Sequence, residues 1–139
     1  MEGCSASFSL KDYCFDEINF LMNMIDRNKS FNVNFDPSCV FKKENSQAEL
    51  TIKVSVSSDG KDSPFCVVSC KSNFVFDGVA GKNDIPNYFY TNSVAILYPY
   101  IRAMVSLVTM QANIGRPVVL PVLNLTPLGE ELKQLTKEV

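Results

Sequence analysis

The 139-residue sequence predicts an α+β domain: a four-stranded antiparallel sheet, then a long helix and a short carboxy-terminal helix on one face of it. Three observations carry that expectation. Apolar and polar residues alternate with period two through most of the first half. Residues 93–114 form one apolar stretch whose polar members step by three and four, the period of a helix. The strands come first and the helices after them, which is the order of an α+β chain.

In the first strand Phe8 and Leu10 begin the alternation, and Tyr13 and Phe15 continue it on the opposite parity. Ile18, Phe20 and Met22 then return to even positions. That change of parity predicts a bulge or strong twist near Lys11-Asp12. In the second strand Phe31, Val33 and Phe35 alternate with asparagines, and Asp36-Pro37-Ser38 is expected to turn the chain. The third is the most regular: Ala48, Leu50, Ile52, Val54 and Val56 against Glu49, Thr51, Lys53, Ser55 and Ser57. Asp59-Gly60, inside Ser58-Asp59-Gly60-Lys61-Asp62, supplies the left-handed positions that a hairpin favours. The fourth strand, from Phe65 to Phe76, carries Cys66, Val68, Cys70, Phe74 and Phe76 on one face. Gly78-Val79-Ala80-Gly81-Lys82 lacks the spacing of a phosphate-binding loop and reads as the turn leaving that strand.

From Asn83 the pattern becomes helical. Ile85-Pro86-Asn87-Tyr88-Phe89-Tyr90 reads as an aromatic connector, and Thr91-Asn92-Ser93 offers capping side chains. Pro99 is then expected in the second turn, with Gly115 and Pro117 ending the helix. Pro121 excludes an interior strand over residues 118–125. Leu128, Leu132 and Leu135 form a short amphipathic helix with Glu130 and Glu131 near its start, where the helix dipole favours them.

The long helix has one narrow polar stripe, made of Arg102, Ser106, Thr109 and Gln111/Asn113. Every other side is apolar: Val94, Ile96, Leu97, Ile101, Met104, Val105, Leu107, Val108, Met110 and Ile114. A surface helix buries a stripe of roughly 100° against its own core. This one offers two apolar faces, and the chain is too short to cover both. A second subunit, or a nonpolar client, is the expected cover.

Length predicts a single domain over 1–139. A net charge of −2 and a pI near 5.1 argue against a nucleic-acid partner. No basic start followed by an apolar core opens the chain, and Arg102 interrupts the longest apolar run. A cytoplasmic protein that does not insert in the membrane is therefore expected. Five cysteines (Cys4, Cys14, Cys39, Cys66, Cys70) show no paired spacing, and the chain has no histidine. Neither a disulfide framework, a metal site nor a cofactor is expected. Without histidine no Ser-His or Cys-His nucleophile can be built, and Glu130 and Glu131 diverge by about 100° on their helix. The expectation is a protein that is not an enzyme.

Several segments resemble SecB, the bacterial export chaperone family, in order and spacing over nearly the whole chain. Leu97-Tyr98-Pro99-Tyr100-Ile101-Arg102 is similar to the start of the family's long helix. Leu120-Pro121-Val122-Leu123-Asn124-Leu125 is similar to its segment before the last helix. Lys11-Asp12-Tyr13-Cys14-Phe15-Asp16 is similar to its first strand, and Asn73-Phe74-Val75-Phe76-Asp77-Gly78-Val79 to its fourth strand with the glycine-containing exit.

The resemblance implies a holdase that keeps unfolded preproteins export- or folding-competent and passes them to the SecA translocase. It also implies a homotetramer, a dimer of dimers. By resemblance Asp12 and Asp16 are the SecA contacts, while Val67 stands where the family carries a further acidic residue. The family's mobile carboxy-terminal tail is not expected after Glu138-Val139. Cys66, Val68 and Cys70 lie on the family's association surface, and Ile101, Val105 and Val108 of the long helix are expected to join that interface. Clients are expected along Phe31, Val33 and Phe35, Tyr88 and Phe89, and Leu128, Leu132 and Leu135, bordering one groove beside the long helix. Two alternatives stand beside export: a SecB-like chaperone that guards an antitoxin, and a non-chaperone interaction adaptor on the same fold.

Overall fold

The computed structural model describes residues 7–121 and 123–139. Its elements are β1 (Ser7–Phe20), β2 (Phe31–Lys42), β3 (Gln47–Ser58), β4 (Cys66–Asp77), α1 (Tyr88–Gln111), α2 (Thr126–Leu135) and β5 (Lys137–Glu138). The strands form one sheet in the order β1-β4-β3-β2-β5. The first four pair antiparallel, but β5 runs parallel to β2, with Val40 opposite Lys137 and Phe41 opposite Glu138. The sheet is therefore mixed and five-stranded, which corrects the four-stranded antiparallel expectation. Two charged residues give no alternation from which a strand can be read.

β1 contains two register shifts, between Leu10 and Asp12 and between Phe15 and Glu17. Each inserts one unpaired residue and flips the parity of the residues beyond it. Phe8, Leu10, Tyr13, Phe15, Ile18 and Phe20 consequently all stand opposite even-numbered β4 residues, from Phe76 to Cys66. The bulge expected near Lys11-Asp12 is present, and the second one accounts for the return to even positions.

Even positions of β3 and β4 and odd positions of β2 build the core face, where Phe41, Leu50, Ile52, Val54, Val68, Cys70 and Phe74 are fully enclosed. The opposite face is polar. On it Glu49 lies 3.6 Å from both Lys42 and Lys71, and Glu17 lies 3.5 Å from Lys53. An antiparallel sheet with one solvated face has this division.

β2 does not turn at Asp36-Pro37-Ser38 but continues to Lys42. Three backbone bonds give the reason. The Ser30 carbonyl accepts from the Asp59 N–H (2.8 Å), on the β3 side. The Phe41 carbonyl accepts from the Val139 N–H (2.9 Å) and the Lys43 N–H donates to the Val139 carbonyl (3.2 Å), on the other side. Even residues of β2 thus address β3, and odd residues address the outer edge. Pro37 is odd, so its missing N–H removes no bond to β3.

α1 starts at Tyr88, five residues before the expected position, and Thr91-Asn92-Ser93 lie inside it. Pro86 and Asn87 lead into its first turn, where the Phe89 N–H donates to the Pro86 carbonyl (3.0 Å). Pro99 therefore falls in mid-helix rather than in the second turn, with its ring exposed. Beyond Gln111 the chain leaves through Asn113 (φ 54°) and Gly115 (φ 105°), both left-handed.

The polar stripe of α1 fastens the connector to α2. The Thr109 hydroxyl accepts from the Val118 N–H (2.8 Å), and the Ser106 hydroxyl donates to the Val118 carbonyl (2.9 Å). The Tyr98 hydroxyl donates to the Pro121 carbonyl. As expected, no strand forms among the described residues of that segment. α2 then crosses α1 so closely that a Cβ on Gly129 would run into the Thr91 hydroxyl and stand 2.8 Å from the Thr91 backbone. Between helices and sheet Phe89 centres an aromatic cluster, with ring centroids 4.8 Å from Phe76, 4.9 Å from Phe8 and 5.5 Å from Phe74. α1 is long and apolar enough to span a membrane by length and composition, but its inner face is committed to this core.

Candidate functional site

The fastened connector and β2 form the two walls of an apolar groove. Phe31, Val33 and Phe35, all half-buried, face Pro117, Val118, Val119, Pro121 and Leu123 across a cleft of about 650 Å³. Sharing Val33, Phe35 and Leu123, a second cleft of about 330 Å³ continues past Leu125, Pro127 and Leu128. Arg116 stands at one end of this trough and Glu131 at the other. Val119 leaves 59% of its surface exposed there.

Among the described residues, the β2 side of the groove is a free strand edge. β5 covers that edge only at Val40 and Phe41 and through Val139. Among the described residues no backbone bond joins the connector to β2. The outward-facing backbone groups of Phe31, Val33 and Phe35 are therefore open beside an apolar trough. Such an edge accepts an added strand.

Of the client-binding candidates, Phe31, Val33, Phe35 and Leu128 line this groove. Phe89 and Leu132 are fully enclosed in the core and cannot touch a client. Tyr88 lies in α1, with its ring 6.0 Å from Phe8, and opens on a separate cleft with Thr91 and Gly129. Leu135 is exposed at the end of α2 and lines neither half of the groove. The groove members that sequence reasoning missed include Val118, Val119, Pro121 and Leu123. Their signal was the excess of apolar residues in a segment that prolines keep from being a strand.

A second apolar surface lies on the outer side of α1. Ile96, Tyr100, Leu107 and Met110 are 37% to 54% exposed, with Ala103 between them. Their spacing of four, three, four and three makes a straight seam. Tyr13 of β1 stacks on Tyr100, with centroids 4.6 Å apart, and extends the surface over the sheet edge. Of the residues expected at a subunit interface, Cys66, Val68, Cys70, Ile101 and Val105 are enclosed by their own chain, and Val108 is half-buried against the core. A helix that is apolar all round does not reveal by period alone which side turns inward.

Asp12 and Asp16 are both exposed on β1, where the Asp12 carboxylate accepts from the Asn73 amide (2.7 Å). Val67 lies on the polar face of the sheet, opposite Asn19. Cys4 is outside the described residues. Cys14 is exposed, and Cys39, Cys66 and Cys70 are buried, all four as free thiols. Burial pushes the last three up to about 11, so they stay neutral and unreactive at physiological pH.

A further cleft of about 760 Å³ lies between residues 82–90 and α2, lined by Lys82, Asn83, Asn87, Glu130 and Lys133 together with Ile85 and Tyr90. Lys133 donates to Asn87 there. No group of three metal-ligating side chains is placed to hold an ion among the described residues.

No family model matches the chain. It is 30% identical over 142 aligned residues to the uncharacterized protein MJ0357 of Methanocaldococcus jannaschii, covering 97% of this chain and 89% of that protein. Among solved structures it is similar in fold to the SecB-like chaperone Rv1957 of Mycobacterium tuberculosis, seen in complex with a ChAD peptide from the Rv1956 HigA1 antitoxin. The TM-score is 0.61 at 15% identity, over 84% of this chain and 91% of that one.

Proposed function

We infer, for a chain that belongs to the same family as the Methanocaldococcus jannaschii protein and has a SecB-like fold, a chaperone function: holding nonpolar segments of non-native polypeptide. The observation that carries this reading is the groove of Phe31, Val33 and Phe35 against Val119, Pro121 and Leu123, open along a free strand edge. An extended client segment places alternate side chains in the trough, each contributing roughly 25 cal/mol per Å² buried. Its backbone bonds to β2 need no particular sequence, which suits a holdase with many clients.

The seam on α1 is the surface for self-association into a homo-oligomer, a tetramer by the SecB resemblance. Asp12 and Asp16, exposed on β1, are free to serve a delivery partner such as SecA. An antitoxin segment is the second client class, supported by the antitoxin peptide in the Mycobacterium tuberculosis complex. The chain acts without catalysis, cofactor or metal, in the cytoplasm, as a single domain.

The test is suppression of aggregation of a diluted, denatured protein, for which the parent is expected to be effective near equimolar ratio. Failure to slow aggregation of any client overturns the reading. Binding of one folded protein alone would favour an adaptor.

A further inference from the structure

The fifth strand occupies the same edge of β2 that the groove leaves open. β5 stands against Val40 and Phe41, and Val139 continues the pairing to Lys43. From Phe31 to Phe35 no backbone bond among the described residues uses this edge, and Pro37 lies between the two halves without a donor of its own. An extended segment added along β2 shares one column with β5. A short one fits beside it, and a long one meets it end-on.

The hold on β5 is slight. Its side chains and that of Val139 are exposed, so they bury little apolar surface. Besides the pairing itself, it is tied down by the Glu138 carboxylate, which accepts from the Lys82 N–H (2.7 Å), and by Thr136 at its base, whose hydroxyl donates to the Leu132 carbonyl (2.7 Å). A two-residue strand held by a few bonds at a sheet edge belongs to the low-stability end of a fold. Beneath it α2 packs directly on β2, and Phe41 and Leu132 both belong to the one buried core.

We propose that β5 is a displaceable strand that competes with clients for the edge of β2, so that short extended segments dock beside it and long ones displace it. The occupant is an extended polypeptide segment with apolar residues at alternate positions. This rests on the holdase reading and adds a length dependence to it. Where β5 is in place, a long segment must exchange β5's bonds for its own. Where β5 is loosened, that exchange is removed for long segments and unchanged for short ones.

The experiment compares binding of two alternating apolar peptides, of about five and about eleven residues, which span about 17 and 36 Å when extended. The full chain is measured beside Val139→Pro, which removes the donor to Phe41, and Glu138→Ala, which removes the tie to Lys82. Loss of about two net hydrogen bonds by β5 raises affinity for the long peptide roughly tenfold, and leaves the short one within about twofold. In hydrogen exchange on the parent, the long peptide should expose the Val139 amide while the Lys43 amide stays protected by the incoming strand. The short peptide should change neither. Equal effects of the variants on both peptides, or a Val139 amide that remains protected under the long peptide, overturn the proposal. If the parent binds neither peptide and suppresses no aggregation, the holdase reading falls first. If it suppresses aggregation and binds both peptides without a length effect, only the competition is lost.

Discussion

The Tyr13 ring lies stacked against Tyr100, with centroids 4.6 Å apart and planes 26° from parallel. This contact joins the edge strand β1 to the outer seam of α1, so that two exposed elements share one apolar surface. Both residues stay partly open, with 39% of Tyr13 and 43% of Tyr100 exposed.

That surface predicts self-association. A stable interface needs about 800 Å² per partner, more than a few scattered side chains supply but within reach of a seam with an adjoining strand. Light scattering should give a mass several times 15.5 kDa for the parent. Tyr100→Asp with Leu107→Asp should give the single-chain mass, with an unchanged circular dichroism spectrum. A parent that is monomeric at micromolar concentration contradicts the prediction.

Phe89 and Leu132 belong to the core, so their loss should be felt in stability before binding. Phe89→Ala is expected to destabilise by about 3–5 kcal/mol and Leu132→Ala by about 2–5 kcal/mol. Urea unfolding followed by fluorescence measures both. Fully stable variants with weakened client binding would put these residues in the groove after all.

Gly129 sits where α2 crosses Thr91 with no room for a Cβ. Gly129→Ala should cost about 1–3 kcal/mol. Adding Thr91→Ala should not restore the loss, because the backbone N and Cα of Thr91 are themselves only 2.8 Å from the new carbon. Recovery in the double variant would show that the hydroxyl alone is the obstacle.

Stability should fall in alkali. Cys39, Cys66 and Cys70 keep their protons to about 11 in the fold, against an ordinary value near 9. Their contribution is complete below pH 9 and is lost as the pH rises from 9 through 11. Each thiol that ionises only on unfolding adds a slope of about 1.4 kcal/mol per pH unit in that window. Replacing Cys70 by alanine should flatten the decline, whatever it does to stability at pH 7. An unchanged slope in that variant refutes the assignment.

How far these features were legible depended on period. β3 could be read residue by residue because every even position from Ala48 to Val56 is apolar, and the double bulge of β1 was visible as two changes of parity. Pro37 misled because a proline stops an interior strand but not an edge, and edge status depends on β5, far away in sequence. The start of α1 was misplaced because Tyr88-Phe89-Tyr90 has no alternation, and Phe89 is held by tertiary packing on Phe74 and Phe76. The groove was half visible: its β2 wall alternates, but its other wall is irregular chain held by Ser106 and Thr109.

The central claim is that nonpolar segments are held between β2 and the connector. Its most direct measurement is binding of a fluorescent alternating apolar peptide, by anisotropy, to the parent, to Val119→Asp with Phe35→Asp, and to Asp16→Ala. Thermal melts establish first that each variant is folded. The account predicts at least a tenfold loss of affinity for the groove variant and parent-like binding for Asp16→Ala. A folded groove variant that binds as tightly as the parent contradicts it.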